Sequence, residues 1–291
     1  MSSEASKTPP DNGSEATVVD EAASKPVHPA YGVVREVTPF ASVILCRNPG
    51  SFELDGTNTW ILRAPGSPTA VVVDPGPKKH GKHVRAVVEA ASVVELVLIS
   101  HRHHDHVGAC KKMRKLSGAP QRAYSNKYSV GAARLRDREV IHAAGLKITV
   151  VHTPGHTADS TSFLVEWEGQ QAILTADTIL GFGTTVLDPS DGSLNDYFNS
   201  LNRLLVEASD AVLLPGHGPD HPTLGPIGRY YKAHREERLA QIVTAIEAMG
   251  VTPEKAKPMK VVRTVYADVD KKLWPAARMS VKTQLEYIRT L

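Results

Sequence analysis

Residues 100–106 read Ser-His-Arg-His-His-Asp-His, and they follow directly on the apolar run Leu-Val-Leu-Ile at 96–99. A continuous apolar run of this kind is typical of a strand in a sheet that is covered on both faces. Histidine and carboxylate side chains are good zinc ligands. A turn at the end of a strand can direct His101 and His103 the same way, with Asp105 and His106 further along. This spacing predicts ligands for two adjacent metal ions rather than one.

Three further candidate ligands stand directly after other predicted strands: His156 after 147–151, Asp177 after 171–175 and His217 after 211–214. Each of the two histidines follows a Pro-Gly pair, and such pairs mark turns that can expose the next side chain. We therefore expect these side chains to join the first cluster.

The elements between these motifs follow from local patterns. Residues 70–73 (Ala-Val-Val-Val) predict a buried strand, with Asp74 at its end and a Pro-Gly turn after it. A short helix is predicted from an apolar face with helical spacing, formed by Val84, Val87, Val88 and Ala91. Residues 161–167 and 171–175 predict a hairpin. Ser193, with Asp196 three positions on, is typical of a helix start.

The seven candidate ligands, in this order and each at a predicted strand end, resemble the ligand set of the metallo-β-lactamase superfamily. The resemblance implies an α/β fold, a four-layer αββα sandwich with a dinuclear site at its edge. It also implies that metal one is bound by His101, His103 and His156, metal two by Asp105, His106 and His217, and both by Asp177. The implied metals are two zinc ions, although these ligands also admit manganese or iron.

The resemblance further implies a hydrolase in which a metal-bound hydroxide is the nucleophile. Asp105 is the implied catalytic residue, which orients that hydroxide or accepts its proton. Asp74 matches an acid that the family places near the site, but the residues alone are equally consistent with a plain turn acid. His104 is expected to point away from the site, and Cys110 is expected to be a small packing residue.

Three other segments resemble the lactamase-β-like 2 subfamily: Gly-Thr-Asn-Thr-Trp at 56–60, Gly-Phe-Gly-Thr-Thr-Val at 181–186 and Leu-Trp-Pro-Ala-Ala-Arg at 273–278. This subfamily includes endoribonucleases and, in fungal polyketide pathways, thioesterases. The resemblance implies a helical, winged-helix-like C-terminal region.

Composition sets the class of protein. The chain has 291 residues, of which 41% are hydrophobic and 22% charged, so it can bury an ordinary core. Two cysteines exclude a disulfide scaffold. No apolar run approaches the roughly 18–20 residues that span a bilayer, so no membrane segment is expected. The N-terminal 30 residues are polar and lack the apolar core of a secretory signal, which predicts a cytoplasmic protein.

We expect three parts: a disordered segment at 1–30, a metallo-β-lactamase domain at 31–222 and a C-terminal helical region at 223–291. In the last part, apolar side chains from Leu239 to Met249 predict a long helix that stops at Gly250. Thr252-Pro253 resembles the start of the next helix.

The sequence constrains the substrate less than it constrains the fold and the candidate ligands. Residues 111–138 carry nine Lys or Arg and one Asp, and the tail adds Lys255, Lys257 and Lys260. Such basic stretches favour single-stranded RNA, although a basic face is often only solvated. The same ligands fit a glyoxalase II-like thioesterase that acts on small acyl thioesters or esters, a β-lactamase-like hydrolase, or a binding module without activity. We therefore keep these substrates open.

Overall fold

Two mixed β-sheets lie face to face in a computed structural model that describes residues 30–188 and 190–291. The prediction of disorder at 1–30 falls, except for Ala30, outside the described residues. The first sheet has its six strands in chain order: β1 (Val34–Thr38), β2 (Ala41–Leu45), β3 (Asn58–Leu62), β4 (Ala70–Val73), β5 (Val94–Ile99) and β6 (Gln121–Ala123). The pairs from β1 to β4 are antiparallel, and β4, β5 and β6 are parallel.

The second sheet has the order β11-β10-β9-β8-β7. Its strands are β7 (Val140–Ala143), β8 (Leu146–His152), β9 (Thr161–Trp167), β10 (Gln170–Ala176) and β11 (Val212–Pro215). Strands β9 and β10 form the predicted hairpin, and β11 pairs parallel with β10. The strand pairing therefore brings the ends of β10 and β11 to the same edge of this sheet.

Two short 3₁₀ helices and seven α-helices complete the described chain: α1 (Gly81–Ala91), α2 (His104–Val107), α3 (Cys110–Ser117), α4 (Leu194–Ala208), α5 (Leu224–Ala248), α6 (Pro258–Val265) and α7 (Trp274–Ile288). Ser193 caps α4 as predicted, because its hydroxyl accepts a hydrogen bond from the Asp196 N–H at 3.2 Å. None of the helices in the described residues is long and apolar enough to cross a membrane.

Three apolar clusters divide the fold into four layers. Between the sheets, side chains from β2 to β5 meet those from β8 to β11, with Leu98 and Phe163 fully buried. The outer face of the first sheet packs on α1 and α3 through Val84, Val87 and Met113. The outer face of the second sheet packs on α4 and the start of α5. Because each sheet buries both faces, strands such as β3 and β4 are buried at every position rather than at alternate positions.

Helix α5 begins well before the predicted position, at Leu224 rather than near Leu239. In the sequence, Gly225 and Pro226 look like helix breakers. In the structure they lie in the first turn of α5. The first backbone N–H groups of a helix have no partner within it, so proline is tolerated there. A side chain at position 225 would clash, since a Cβ there would lie 2.4 Å from Oγ of Ser209.

The end of α5 packs with α6 and α7 around a fourth apolar cluster that contains Ile242, Ile246, Val261 and Val281. The predicted helix start at Thr252-Pro253 is wrong: these residues lie in a turn, and α6 begins at Pro258 with Lys257 before it. The rule that proline favours the first helical position holds at Pro258 instead. The boundary at 222/223 between the predicted domains stays a prediction.

Candidate metal centre

The seven candidate ligands lie together where strands β5, β8, β10 and β11 end. His101 and His103 follow β5, and α2 presents Asp105 and His106 from its first turns. One potential ligand atom from each of His101, His103, His156 and Asp177 lies within 4.8 Å of the others. The second group, with the same spacing, is Asp105, His106 and His217.

Asp177 stands between these two groups. Its Oδ2 lies 3.8 Å from Nε2 of His101 and 3.5 Å from Nε2 of His156. Its Oδ1 lies 3.3 Å from Nε2 of His106 and 3.4 Å from Nε2 of His217. This buried Oδ1 accepts no hydrogen bond from the described residues. One oxygen of the carboxylate thus faces each group.

Backbone carbonyls fix the tautomer of two histidines. Nδ1 of His156 lies 2.6 Å from the carbonyl oxygen of Val186, and Nδ1 of His217 lies 2.9 Å from that of Gly56. A carbonyl oxygen only accepts, so in both rings Nδ1 carries the proton. The lone pair of Nε2 therefore points at the cluster.

Carboxylates fix the tautomers of the other three histidines, directly in two of them and through a hydroxyl in the third. Nε2 of His103 donates to Asp188 at 3.0 Å, and Nδ1 of His106 donates to Oδ2 of Asp74 at 2.8 Å. Ser100 donates its hydroxyl to Asp74 at 2.6 Å, so it accepts from Nδ1 of His101 at 3.0 Å. All five imidazoles thus donate outward, and whenever the inward nitrogen carries no proton it presents a lone pair inward, as in metal-ligating histidines.

These inward nitrogens face one another at short range. Nδ1 of His103 lies 3.1 Å from Nε2 of His101 and 3.0 Å from Nε2 of His156. Nε2 of His106 lies 3.3 Å from Nε2 of His217. Opposed lone pairs repel unless a cation lies between them. The nitrogen and carboxylate donor set therefore fits divalent metal ions such as zinc.

The carboxylates make the second group attractive to positive charge. Burial lowers the pKa of His217, but the carboxylates of Asp177 and Asp105 outweigh burial and raise this pKa to about 10. Burial likewise opposes the charged form of Asp105, yet His106 and His217 hold its pKa well below the usual range. In the first group, burial lowers the pKa of His156 to about 4. The second group therefore favours positive charge, carried by protons on its imidazoles or by a metal ion that replaces them, and the first group favours neutral imidazoles.

Asp74 lies beneath the cluster and not in a simple solvent-exposed turn. It is buried, and it also accepts a hydrogen bond from the backbone N–H of Ser100 at 2.8 Å. Its φ of 55° is left-handed, a conformation that Asp and Asn tolerate better than most residues. Of the two interpretations of Asp74, the structure supports the acid near the site.

Asp188 was not found by sequence analysis. Besides His103, it accepts a hydrogen bond from Nη2 of Arg102 at 2.7 Å, and Arg102 also binds Asp191. The loop that holds Asp188 matches no recognised ligand spacing. The only local signal is Arg102, a charged residue placed between two histidines of the cluster.

The segment 56–60 holds the loop that carries His217. Nδ2 of Asn58 donates to the carbonyls of Pro215 and Gly218, at 3.1 and 2.9 Å. Nε1 of Trp60 donates to the same Pro215 carbonyl at 3.0 Å. Gly216, inside this loop, has no room for a side chain, since a Cβ there would lie 2.6 Å from Oδ1 of Asp177.

The segment 181–186 connects the cluster to α5. Arg235 is buried, with 3% of its surface exposed, and its guanidinium donates to the carbonyl of Thr185 and lies over the ring of Tyr197. The next residue, Val186, accepts the hydrogen bond from His156. Arg235 thus supports His156 through this loop, and no carboxylate among the described residues pairs with it.

A cleft of about 430 Å³ opens over the cluster. Six apolar side chains line the cleft, and we call them the apolar wall: Phe52, Leu54, Leu180, Phe182, Val186 and Met279 from α7. No Lys or Arg of the described residues lines this cleft. His104 is exposed and also lines the cleft, but it belongs to neither group of candidate ligands. Cys110 is partly buried outside the cleft, and burial raises the pKa of its thiol to about 12.

Residues 53–217 match the family model of the metallo-beta-lactamase superfamily, which spans more than half of the chain. The chain belongs to the metallo-beta-lactamase superfamily. Residues 258–287 match the beta-lactamase associated winged helix domain. A Burkholderia ambifaria beta-lactamase domain protein shares the fold of this superfamily member with a TM-score of 0.75, at 20% identity over 91% of this chain and 90% of its own. The predictions of the fold class and of the winged-helix-like region are confirmed.

Two relatives show the range within this superfamily. A beta-lactamase-like protein 2 homolog of Drosophila melanogaster is 30% identical over 272 residues, which cover 87% of this chain and 88% of the relative. An atrochrysone carboxyl ACP thioesterase of Aspergillus chevalieri is 29% identical over 215 residues, 73% of this chain and 68% of the relative. The chain is thus a hydrolase of the superfamily, as predicted, with a candidate His/Asp metal site.

Proposed function

We propose that this enzyme hydrolyses acyl thioesters with two bound zinc ions. The observation that carries the proposal is a set of five imidazoles on the floor of an apolar cleft. One nitrogen of each ring donates a hydrogen bond away from the cluster, and the other nitrogen faces into it. Such a cleft with a few convergent polar groups is typical of a site for a small, largely apolar substrate.

The seven predicted ligands would hold the metals in two groups. His101, His103 and His156 would bind one ion, Asp105, His106 and His217 the other, and Asp177 both. Bound divalent ions supply two effects: they lower the pKa of water and stabilise negative charge on the oxygen of the attacked group.

Asp105 is the carboxylate to which we assign proton acceptance. Its side chain lines the cleft, and Oδ2 lies 3.2 Å from Nε2 of both His106 and His217. The Thr57 hydroxyl approaches the same oxygen at 3.5 Å. These contacts fix the carboxylate, which can then orient a water molecule and receive its proton.

The cleft favours a thioester over RNA. A phosphodiester substrate is usually neutralised by Lys and Arg, and the cleft lining contains neither. Glu53 adds negative charge to its lining. The thioesterase relative from Aspergillus supports the same choice.

Hydrolysis of single-stranded RNA is the second candidate, and the cations of residues 111–138 favour it. Two of these cations are neutralised, since Arg122 pairs with Glu139 at 2.7 Å and Arg138 with Glu207 at 3.1 Å. This reduces the charge available to a polyanion. The β-lactamase-like substrate and the cytoplasmic location stay predictions from the sequence.

The test is a comparison of substrates with a matched pair of variants. Purified protein loaded with zinc is incubated with octanoyl-N-acetylcysteamine and with single-stranded RNA, and metal content is measured by elemental analysis. We expect about two zinc ions per chain and thioester hydrolysis that a chelator abolishes. Asp177→Ala should lose metal and turnover together, whereas Asp210→Ala, at an exposed position, should lose neither. RNA cleavage without thioester hydrolysis would overturn the choice of substrate.

A further inference from the structure

Eight cations lie on one side of the first sheet, and we call them the basic face. They come from the loop before α1, from α1 and from α3: Lys78, Lys79, Lys82, Arg85, Lys111, Lys112, Arg114 and Lys115. Helices α1 and α3 contact each other and pack on the same apolar cluster. Their polar sides therefore point away from the sheet in the same layer. Only four of these cations belong to the basic stretch seen in the sequence.

The basic face is not neutralised by its own residues. Within 76–91 and 108–118, the one carboxylate is Glu89. Among the described residues, no ion pair involves any of the eight cations, while Arg102, Arg122 and Arg203 elsewhere are paired. Like charges at this density repel one another, so the approach of an acidic surface lowers the electrostatic free energy.

This face adjoins the mouth of the cleft. A Cβ on Gly108 would lie 2.6 Å from the backbone nitrogen of Lys78 and closer still to the carbonyl of His104. The loop with Lys78 therefore touches α2, whose His104 lines the cleft. In addition, Nε2 of His80 lies 3.1 Å from the carbonyl of Arg47, shortly before the segment with Phe52 on the apolar wall.

We propose that the basic face binds an acidic carrier protein on which the acyl group is held as a thioester. The inference rests on the proposed function, because it assigns the carrier of that substrate. The cations lie outside the cleft, and no Lys or Arg of the described residues lines it. The basic surface is therefore separate from the site of hydrolysis. A carrier protein fits this division, since its acidic surface stays on the helices while its acyl arm enters the apolar cleft. An RNA strand would also need cations for the phosphates that flank the cleaved bond, and in the part of the chain that the structure describes the cleft lining has no Lys or Arg.

The test compares one acyl group on two carriers. The substrates are octanoylated acyl carrier protein, which is acidic, and octanoyl-N-acetylcysteamine, which is small and uncharged. The variant Lys82→Glu/Lys111→Glu/Lys115→Glu reverses three exposed positions of the basic face. We expect its KM for the protein-bound thioester to rise about tenfold or more, with weaker salt dependence, because surface charges mainly steer association. Its kinetics on the small thioester should not change.

A matched variant, Lys255→Glu/Lys257→Glu/Lys260→Glu, reverses the charge of three exposed lysines, two between α5 and α6 and one in α6. It should leave the KM for the carrier protein unchanged. Equal KM values in both triple variants would overturn the proposal. Loss of RNA binding in the first variant, with unaltered carrier kinetics, would overturn it in favour of RNA. If the wild-type enzyme does not hydrolyse the small thioester, the proposed function is contradicted instead. Binding of the carrier protein to the basic face, measured by fluorescence anisotropy, then tests the surface by itself.

Discussion

Oδ2 of Asp74 accepts a hydrogen bond from Nδ1 of His106 at 2.8 Å, with both side chains buried. The same oxygen accepts from the hydroxyl of Ser100, which in turn accepts from Nδ1 of His101. One carboxylate therefore orients an imidazole in each of the two groups. A residue that binds no metal in this arrangement thus determines where two inward lone pairs point.

Replacing Asp74 by Asn should weaken metal binding without unfolding the protein. Asn has the same shape and tolerates the left-handed φ of 55°, but its amide nitrogen cannot accept a hydrogen bond. We expect zinc affinity to fall about 10–100-fold, as when other orienting partners of ligand histidines are lost. Chelator competition measures the affinity, and circular dichroism checks the fold. Asp210→Asn is the control, and an unchanged affinity in Asp74→Asn would contradict the role of Asp74.

His83 should make stability depend on pH. Burial lowers its pKa from 6.5 to about 4, and its Nε2 lies 2.8 Å from the Thr59 hydroxyl, which itself donates to the carbonyl of Asp74. Between these two pKa values the unfolded chain binds a proton at His83 that the folded chain does not. The free energy of unfolding should therefore fall as pH drops from 6.5 to 4, by roughly 1–3 kcal/mol from this group.

The variant His83→Gln isolates this contribution, because Gln can donate to Thr59 but does not titrate in this range. Urea unfolding of both proteins, with chelator present, should give a shallower loss of stability for the variant between pH 6.5 and 4. Parallel curves for the two proteins would show that His83 is already protonated in the folded state.

Much of the fold could be predicted because its signals are local. Strand β5 ends in an unbroken apolar run at 96–99, and the cap at Ser193 needs only Asp196 three positions away. The seven candidate ligands were found because all of them stand in the segments that follow predicted strands. Their role as ligands stays a prediction, although the structure brings all seven together.

What sequence reasoning missed depends on tertiary contacts. Asp188 meets His103 across 85 positions of chain, and no spacing rule links the two. Helix α5 was placed too late, because Pro226 breaks a helix interior but not a first turn. The basic stretch at 111–138 was treated as one surface, yet Arg122 pairs with Glu139 while Lys111 joins α1. Packing rather than sequence order decides which charges share a face.

Arg235 should matter for catalysis although it lies outside the cleft lining. Its guanidinium donates to the Thr185 carbonyl, and the next carbonyl, of Val186, orients His156. Arg235→Met keeps much of the volume but removes this donor, so the loop can shift. We expect kcat to fall about 10–100-fold, since a displacement of about 1 Å has effects of this size. Arg229→Met, at an exposed position of the same helix, is the control. Equal turnover in both variants, at equal zinc content, would show that Arg235 only fills space.

The apolar wall of the cleft should select for acyl chain length. Phe182 lies on this wall with 38% of its surface exposed, so a bound chain can cover the ring that solvent now reaches. Phe182→Ser removes that apolar surface and leaves the candidate ligands in place. We expect the KM for octanoyl-N-acetylcysteamine to rise about tenfold, which corresponds to roughly 1.4 kcal/mol of lost apolar contact. The KM for the acetyl analogue should hardly change, because two carbons do not reach the wall. Val206→Ser removes a side chain that is 85% exposed on α4, and it serves as the matched control. If the acetyl and octanoyl substrates are affected equally, Phe182 supports the loop and does not contact the acyl chain.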